Sequence, residues 1–346
     1  MKTLAAVLFE PGKPLELVEL EIPKLKEGQV LVKVSVSGVC HTQVLECYGY
    51  RGEDKYLPHC LGHEGSGVVQ EIGPNVTRVK PGDKVILSWI EGVGANIPRT
   101  IYKWNKRDVN AGSITTFSDY SIISENRLTV ICEKLTMDEA AMIGCAVPTG
   151  VGAVLNTANA QEGKSIAIFG VGGVGLISIN TAQFAGCKPI IAVDIMDNKL
   201  VLANEMGATH VINSRKTNPV KEISSICPSG VDIAIEASGI PEVMLQALYS
   251  VRNYGGIAVI VGNARYGEYI KLDPRQLNNG KQIRGTWGGD SKPERDFFYY
   301  MNMISKKKIN LKPLLSETYK LTGINLAIDD LRSGKVARPM IDMLRK

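Results

Sequence analysis

The sequence predicts an α/β protein with two parts, a mainly β region and a doubly wound parallel sheet. The first 130 residues alternate apolar runs with Gly and Pro turns, as in Val30–Val36, Gly65–Ile72 and Pro81–Lys84. From about residue 165, short β-branched runs alternate with segments whose apolar spacing suits amphipathic helices. Short apolar strands that alternate with helices are typical of a parallel sheet covered on both faces.

The elements of the second part follow in chain order. Strands are expected at Ser165–Phe169, Pro189–Val193, His210–Ile212, Val231–Ile235, Ile257–Val261 and Gln282–Gly285. Helices are expected at Val174–Ala185, Asp197–Met206, Val220–Ile226 and Pro241–Val251. The pattern becomes mixed after Trp287-Gly288-Gly289, and two more helices are expected near Glu294–Ser305 and Ile324–Ser333.

Bulk composition excludes several classes of function. The 346 residues are 44% hydrophobic and 22% charged, as in a globular protein with real cores. The net charge of +5 is mild, and the cluster Lys306–Lys308 is typical of a solvated helix end. We therefore expect no nucleic-acid partner.

The cysteine pattern and the hydropathy pattern bear on location. The apolar stretch Leu4–Phe9 is too short for a signal peptide, and no stretch approaches the roughly 20 residues that cross a membrane. An odd, scattered set of cysteines argues against a disulfide framework: Cys40, Cys47, Cys60, Cys132, Cys145, Cys187 and Cys227. We expect a reduced, cytoplasmic protein with no membrane partner.

A glycine loop follows the first strand of the parallel sheet. Gly170-Val171-Gly172-Gly173-Val174-Gly175 has the G-x-G-x-x-G pattern and opens a helix whose N-terminus can receive a pyrophosphate. Its first glycine permits a tight turn, and the second lets the backbone approach a phosphate closely. The third allows the helix to pack closely against the strand. The candidate cofactor-binding residues here are Gly170, Gly172, Gly173, Val174 and Gly175. The alternative is a strand–helix turn with no ligand.

The next strand supplies a carboxylate. Asp194 lies about 20 residues beyond the glycines, where a carboxylate accepts hydrogen bonds from the adenosine ribose of NAD and repels the 2′-phosphate of NADP. Lys199 follows on the next helix and is a second candidate for the same ribose. NAD is therefore expected as the cofactor, with NADP as the less favoured alternative.

Three separate segments carry candidate metal ligands, Cys40, His63 and Cys145. Two thiolates and one imidazole leave the fourth position of a tetrahedral zinc open, as a catalytic zinc requires. Zinc at such a site acts as a Lewis acid on a substrate oxygen. Taken singly, each residue is also compatible with an ordinary structural role, because buried cysteines are common.

Across nearly its whole length the sequence resembles the zinc-containing medium-chain alcohol dehydrogenases. The matching segments are Gly38-Val39-Cys40-His41-Thr42, Gly62-His63-Glu64, Thr116–Tyr120, Ile143-Gly144-Cys145, Thr149-Gly150, the glycine loop, Val193-Asp194-Ile195, Val259–Gly262 and Leu331–Gly334. The resemblance implies a GroES-like, mainly β catalytic domain at residues 1–147 and 288–346. It also implies an inserted Rossmann domain at residues 148–287.

The resemblance also implies roles for individual residues. Cys40, His63 and Cys145 would bind the zinc, with Glu64 just behind it. Thr42 would be the first member of a proton relay.

The same resemblance implies contacts with the cofactor. His41 and Arg338 would contact the cofactor pyrophosphate. Thr149 and Val174 would contact or pack against the nicotinamide ring.

Departures from the family pattern carry their own expectations. Residues 88–112 contain no cysteine where many relatives bind a structural zinc, so we expect only the catalytic zinc. Gln43 replaces an Asp that often supports the metal site. Leu45 replaces the terminal histidine of the proton relay, which weakens any assignment to a simple primary alcohol such as ethanol.

The function implied is hydride transfer between an alcohol and NAD, which interconverts the alcohol with an aldehyde or ketone. A primary or secondary alcohol, a polyol and a sugar-like substrate all remain open. The expected pocket is lined by Thr42, Cys47–Tyr50, Trp89 and Gly285–Gly289. Two alternatives are a zinc-free quinone or enone reductase of the same fold and a non-catalytic nucleotide-binding protein. Relatives pair their Rossmann sheets, so a homodimer, or a tetramer, is expected.

Overall fold

The computed structural model describes residues 1–315 and 317–345. Contacts between Cα atoms divide the chain into two compact units. Unit 1 comprises Met1–Cys145, Lys292–Lys306 and Leu315–Lys346, and unit 2 comprises Ala146–Ser291 and Lys307–Leu314. The boundaries proposed from the family resemblance, at 147/148 and 287/288, stay a prediction.

Unit 1 and unit 2 together contain the following strands, numbered in chain order. They are β1 (Lys2–Leu8), β2 (Glu16–Glu21), β3 (Gln29–Gly38), β4 (His59–Cys60), β5 (Glu64–Ile72), β6 (Lys84–Ser88), β7 (Thr100–Trp104), β8 (Arg107–Gly112), β9 (Tyr120–Ser124), β10 (Leu128–Val130), β11 (Ile166–Phe169), β12 (Ile190–Asp194), β13 (His210–Asn213), β14 (Ile233–Glu236), β15 (Ile257–Ile260), β16 (Gln282–Gly285), β17 (Thr318–Lys320) and β18 (Met340–Asp342).

The α-helices are numbered in the same way. They are α1 (His41–Cys47), α2 (Met137–Met142), α3 (Ala146–Gly152), α4 (Gly173–Phe184), α5 (Asp197–Glu205), α6 (Pro219–Ile226), α7 (Pro241–Ser250), α8 (Arg275–Asn278), α9 (Phe298–Ser305) and α10 (Ile324–Arg332). The helix expected at Glu294–Ser305 begins as a wider π-helical turn, Pro293–Phe297, ahead of α9. No helix within the described ranges is long and apolar enough to cross a membrane.

Unit 1 is built from two sheets, and the side chains of the apolar strand β3 enter two different cores. One sheet is a closed barrel with the order β1-β2-β7-β8-β4, and the other has the order β10-β6-β5-β3-β18-β17, with β9 also paired to β3. Successive side chains of a strand point to opposite faces. Val30, Val32 and Val34 therefore enter one core while Leu31 enters another. The mainly β character expected of this part is confirmed.

Unit 2 is a doubly wound sheet of six parallel strands in the order β13-β12-β11-β14-β15-β16. All six expected runs form strands, which confirms the predicted fold of this part. One of its cores consists of apolar side chains from one sheet face and from the helix α7, such as Phe169, Val193 and Leu248. The later segment 307–314 joins this unit because Asn310 N–H donates to Asn180 Oδ1 on α4, at 2.8 Å.

A hairpin fills the region where many relatives carry a structural zinc. β7 and β8 pair antiparallel from Thr100 to Gly112, and β7 also pairs with β2, so the hairpin is part of the barrel wall. The loop that precedes it is held by the carboxylate of Glu125. Glu125 Oε1 accepts hydrogen bonds from the backbone N–H of Thr77 (2.7 Å) and Arg78 (2.9 Å), and Oε2 accepts one from Ala95 (2.9 Å).

These three donors explain how a buried carboxylate is tolerated at Glu125, which is 2% exposed. Burial raises the pKa of such a group, but hydrogen bonds from Ala95, Thr77 and Arg78 outweigh it and hold the pKa below its ordinary value. The stabilisation from this group is therefore present above the unfolded-state pKa of about 4.3 and is lost as the pH falls below it.

We expect Glu125→Gln to destabilise unit 1 by roughly 1–3 kcal/mol at neutral pH, because one of the three amide donors must then face an NH₂ group. The measurement is thermal unfolding by calorimetry, with Glu71→Gln on an exposed position as the control. The difference between Glu125→Gln and the unmodified protein should stay constant above the unfolded-state pKa of about 4.3 and shrink as the pH falls below it, because Gln does not titrate. A difference that stays constant below that pKa as well would contradict the assignment.

Candidate metal centre and dinucleotide site

Cys40, His63 and Cys145 meet in unit 1 although they are distant in sequence. One ligand atom from each lies within 4.8 Å of the others. Cys40 follows β3 and His63 precedes β5, and these strands pair antiparallel with Ser37 opposite Gly65. In an antiparallel pair, residues beyond one strand end lie beside residues before the other. The structure brings these three side chains together, and their role as metal ligands stays a prediction.

Hydrogen bonds from the two neighbouring strands fix the same region. Ser88 Oγ at the end of β6 donates to the carbonyl of Gly144 at 2.7 Å, which holds the segment that carries Cys145. Ser37 Oγ at the end of β3 donates to the carbonyl of Glu64 at 3.0 Å. The ligand segments are thus attached to the ends of strands that belong to a continuous sheet.

The donor set fits a zinc ion. The Nε2 atom of His63 is buried and has no hydrogen-bond partner within the described ranges, although buried polar atoms are normally paired. A hydrogen bond from Cys145 holds the pKa of the Cys40 thiol well below its usual value, and the charge of Arg338 adds to this against the effect of burial. An imidazole nitrogen, a readily formed thiolate and a second thiol are the ligands of a three-residue catalytic zinc site.

A buried ion pair lies close to these three residues. Arg338 donates to Glu64 Oε1, and their side chains are 4% and 0% exposed. Burial opposes the charge of Arg338, but the carboxylate of Glu64 and the neighbouring Cys40 raise its pKa above the ordinary value. A position of Glu64 just behind the metal stays a prediction. The guanidinium of Arg338, for which a pyrophosphate contact was expected, is engaged with Glu64, and the pyrophosphate contact stays a prediction.

Gln43 lies within hydrogen-bond distance of two ligand residues. Its Oε1 accepts from the backbone N–H of Cys40 at 3.1 Å, and its Nε2 donates to Glu46 Oε2 at 3.3 Å. A backbone N–H requires an oxygen and a carboxylate requires a donor, so both contacts support one orientation of the amide. In that orientation Nε2 lies 2.7 Å from His63 Nδ1. The sequence pattern identified Gln43 as a departure but contained no sign of this contact.

The other expected residues of unit 1 lie around this centre. Thr42 Oγ1 is 3.7 Å from Cys40 Sγ, and His41 is exposed at the start of α1. Leu45 is buried in the core. The Trp89 ring approaches the His63 ring edge-on, with centroids 6.4 Å apart.

The Tyr48 hydroxyl donates to Asp329 at 2.8 Å and the Tyr48 ring stacks on Arg332. This side chain therefore ties α1 to α10, in addition to any role in a pocket.

The glycine loop and Asp194 come together in unit 2. Gly170 has φ +87°, and a Cβ there would lie 2.8 Å from the backbone nitrogen of Ser238. Asp194 Oδ2 accepts the N–H of Val171 at 2.7 Å, while Oδ1 accepts those of Ile195 and Met196. The carboxylate expected to bind ribose therefore also holds the loop against β12.

The remaining candidates occupy the neighbouring helices. Gly172 precedes α4, and Gly173, Val174 and Gly175 form its first turn, whose N-terminus lacks a side-chain cap. Thr149 is partly buried on α3 and Lys199 is partly buried on α5. Their contacts with a cofactor stay predictions.

Comparison with known proteins agrees with this geometry. Residues 26–133 match the model of the alcohol dehydrogenase GroES-like domain, and residues 173–306 match that of zinc-binding dehydrogenases. An S-(hydroxymethyl)glutathione dehydrogenase of Photobacterium damsela subsp. piscicida is 36% identical, over 99% of this chain and 100% of that protein.

Solved structures agree over the same length. Benzyl alcohol dehydrogenase from Acinetobacter calcoaceticus has a TM-score of 0.89 at 30% identity. An alcohol dehydrogenase zinc-binding domain protein from Burkholderia ambifaria has a TM-score of 0.91 at 30% identity. Both comparisons cover 99% of each chain. The chain belongs to the family of zinc-containing medium-chain alcohol dehydrogenases, the oxidoreductases that act on CH–OH groups.

Proposed function

We propose that the chain interconverts an alcohol and its aldehyde or ketone with NAD as the hydride carrier and one zinc ion held by Cys40, His63 and Cys145. The observation that carries the proposal is the convergence of these three ligand atoms within 4.8 Å, with His63 Nε2 buried and unpartnered among the described residues. Zinc at this centre supplies Lewis-acid chemistry that lowers the pKa of a bound hydroxyl group.

The surrounding side chains prepare the centre for this chemistry. Thr42 Oγ1, 3.7 Å from Cys40 Sγ, is the hydroxyl that takes the proton of the substrate alcohol. Glu64 and Arg338 place a fixed, charged pair behind the ligands. Leu45 is buried and its side chain has no group that can relay a proton. The proton therefore leaves Thr42 through water or through a cofactor ribose hydroxyl.

A single zinc per chain is part of the proposal. Residues 88–112 contain no cysteine, and the β7–β8 hairpin with the Glu125 hydrogen bonds organises the region instead. A four-thiolate site cannot be assembled there.

The proposed substrate is an alcohol, with a primary or secondary alcohol, a polyol and a sugar-like molecule as the candidate classes. The edge-on Trp89 beside His63 gives the centre an aromatic wall. Relatives are named for S-(hydroxymethyl)glutathione and for benzyl alcohol, which differ greatly in charge and size. The complete ligand set argues against a zinc-free quinone or enone reductase and against a non-catalytic binding protein.

A homodimer in the cytoplasm completes the proposal. β16 is an edge strand of the unit 2 sheet with largely exposed residues, and exposed edges readily pair with another chain. Trp287, which follows this strand, is 75% exposed. No disulfide joins the seven cysteines within the part of the chain that the structure describes, as suits a reducing compartment.

We expect Cys40→Ser to lose zinc and turnover together, because a hydroxyl is a poor substitute for a thiolate ligand. Zinc per chain is measured by elemental analysis beside NADH formation from a panel of alcohols. The control is Cys132→Ser, since Cys132 is exposed and distant in sequence from the ligands. One zinc per chain in the unmodified protein and in the control supports the proposal, and turnover retained by Cys40→Ser would contradict it.

Asp194→Ala should shift the cofactor preference toward NADP by about 10-fold or more in kcat/KM, because the carboxylate that repels a 2′-phosphate is gone. The same substitution removes the acceptor of the Val171 N–H, so both cofactors should also bind more weakly. The measurement is the ratio of kcat/KM for NAD and NADP, with Asp273→Ala as the control. An unchanged ratio would argue against the ribose contact.

A third prediction concerns Gln43. Metal binding through His63 Nε2 requires a proton on Nδ1, yet Gln43 Nε2 is a donor at 2.7 Å from that atom. The double substitution Gln43→Glu with Glu46→Gln places a carboxylate acceptor beside His63 Nδ1 and an amide donor at position 46. It should tighten zinc binding by about 10-fold. The assay is competition with a chromophoric chelator. Glu46→Gln alone is the matched control, and equal zinc affinity in all three proteins would refute the prediction.

A further inference from the structure

A buried carboxylate that the proposed mechanism does not use lies at the end of β14. Glu236 is 0% exposed. Its Oε1 accepts hydrogen bonds from the backbone N–H of Ser238 (2.7 Å), the hydroxyl of Ser238 (2.5 Å) and the backbone N–H of Gly239 (2.9 Å). Oε2 is buried and has no hydrogen-bond partner among the residues that the structure describes.

The backbone of Glu236 also contacts the turn that follows the next strand. The backbone N–H groups of Val261 and Gly262 donate to the carbonyl of Glu236. A Cβ on Gly262 would lie 2.1 Å from the nitrogen of Gly239 and 2.8 Å from Glu236 Oε2. The turns after β14 and β15 are therefore in direct contact, and the Glu236 side chain lies at their junction.

The order of the strands gives this junction a place in the cofactor site. A doubly wound sheet with this order consists of two mononucleotide-binding halves that meet where the strand order reverses. Asp194 on β12, the candidate ribose acceptor, lies on one side of β11. β14 and β15 lie on the other side, so the turns after them belong to the half that receives the second nucleotide.

We propose that Glu236 is a positioning residue for the nicotinamide half of the cofactor, through the turns at 238–239 and 261–263. This inference rests on the proposed use of NAD. Glu236 is not in the catalytic machinery, because it acts only through the backbone that it holds. Burial raises the pKa of this carboxyl against the effect of the hydrogen bonds from Ser238 and Gly239, so a neutral amide of the same length is a fair substitute for it.

The length of the side chain is the variable to test. Glu236→Asp retracts the carboxylate by about 1.5 Å, one C–C bond, and withdraws it from Ser238 and Gly239. Glu236→Gln keeps the length and an oxygen acceptor. The matched control is Asp232→Asn, because Asp232 lies before the start of the same strand and binds Ser165 and Arg252 at the opposite edge of the sheet.

The experiment measures dissociation constants of NADH and of ADP-ribose, which lacks the nicotinamide, by titration calorimetry on the full chain. We expect Glu236→Asp to weaken the binding of NADH by about 10-fold and to leave the binding of ADP-ribose nearly unchanged. Glu236→Gln should bind NADH as tightly as the unmodified protein does. Asp232→Asn should lower the melting temperature without changing the ratio of the NADH and ADP-ribose dissociation constants. If Glu236→Asp does not fold, Ser238→Ala, which removes only the hydroxyl donor, should weaken NADH alone.

Two results would overturn the inference in different ways. Equal weakening of both ligands, or no weakening of either, in a folded variant would refute the positioning role while leaving NAD as the cofactor. If the unmodified protein binds neither NADH nor ADP-ribose, the proposed cofactor fails, and the inference fails with it.

Discussion

The antiparallel ladder around β3 is the constraint on which the metal centre depends. β3 pairs with β5 on one side and with β18 on the other, with Ser37 opposite Gly65 and Gly38 opposite Met340. Cys40, His63 and Arg338 lie just beyond these pairs, at the same end of the sheet. A slip of one residue in either ladder would turn the flanking side chains to the wrong face. The position of the ligands is thus a property of sheet register.

Buried carboxylates are a second theme, and each is accommodated differently. Glu64 pairs with a guanidinium, Glu125 receives three backbone amide hydrogens, and Glu236 receives donors from the turn that follows it on Oε1. A charge without such partners is costly to bury. Glu64 pairs with a cation close to Cys40, whereas Glu125 and Glu236 hold backbone turns in place.

Much of the fold was predictable because the signals are local. Runs such as Ser165–Phe169 are short, β-branched and followed by glycine, so strand type and order follow from them. The ligands Cys40, His63 and Cys145 were found through resemblance, since spacing alone left each one ambiguous. The Gln43–His63 contact and the Arg338–Glu64 pair were not predicted, because both depend on register between strands distant in sequence. Glu236 could have been found as the carboxylate that ends a buried strand, in the manner of Asp194.

The pairing of Arg338 with Glu64 has a consequence for synthesis on the ribosome. The two residues are 274 positions apart, with the whole nucleotide-binding insertion between them. Glu64 is translated long before Arg338, so a β3–β5 ladder that forms in the nascent chain lacks the cation with which this buried carboxylate pairs. Docking of β18 is therefore the step that closes the centre, and the inserted sheet is translated in full before that step can occur.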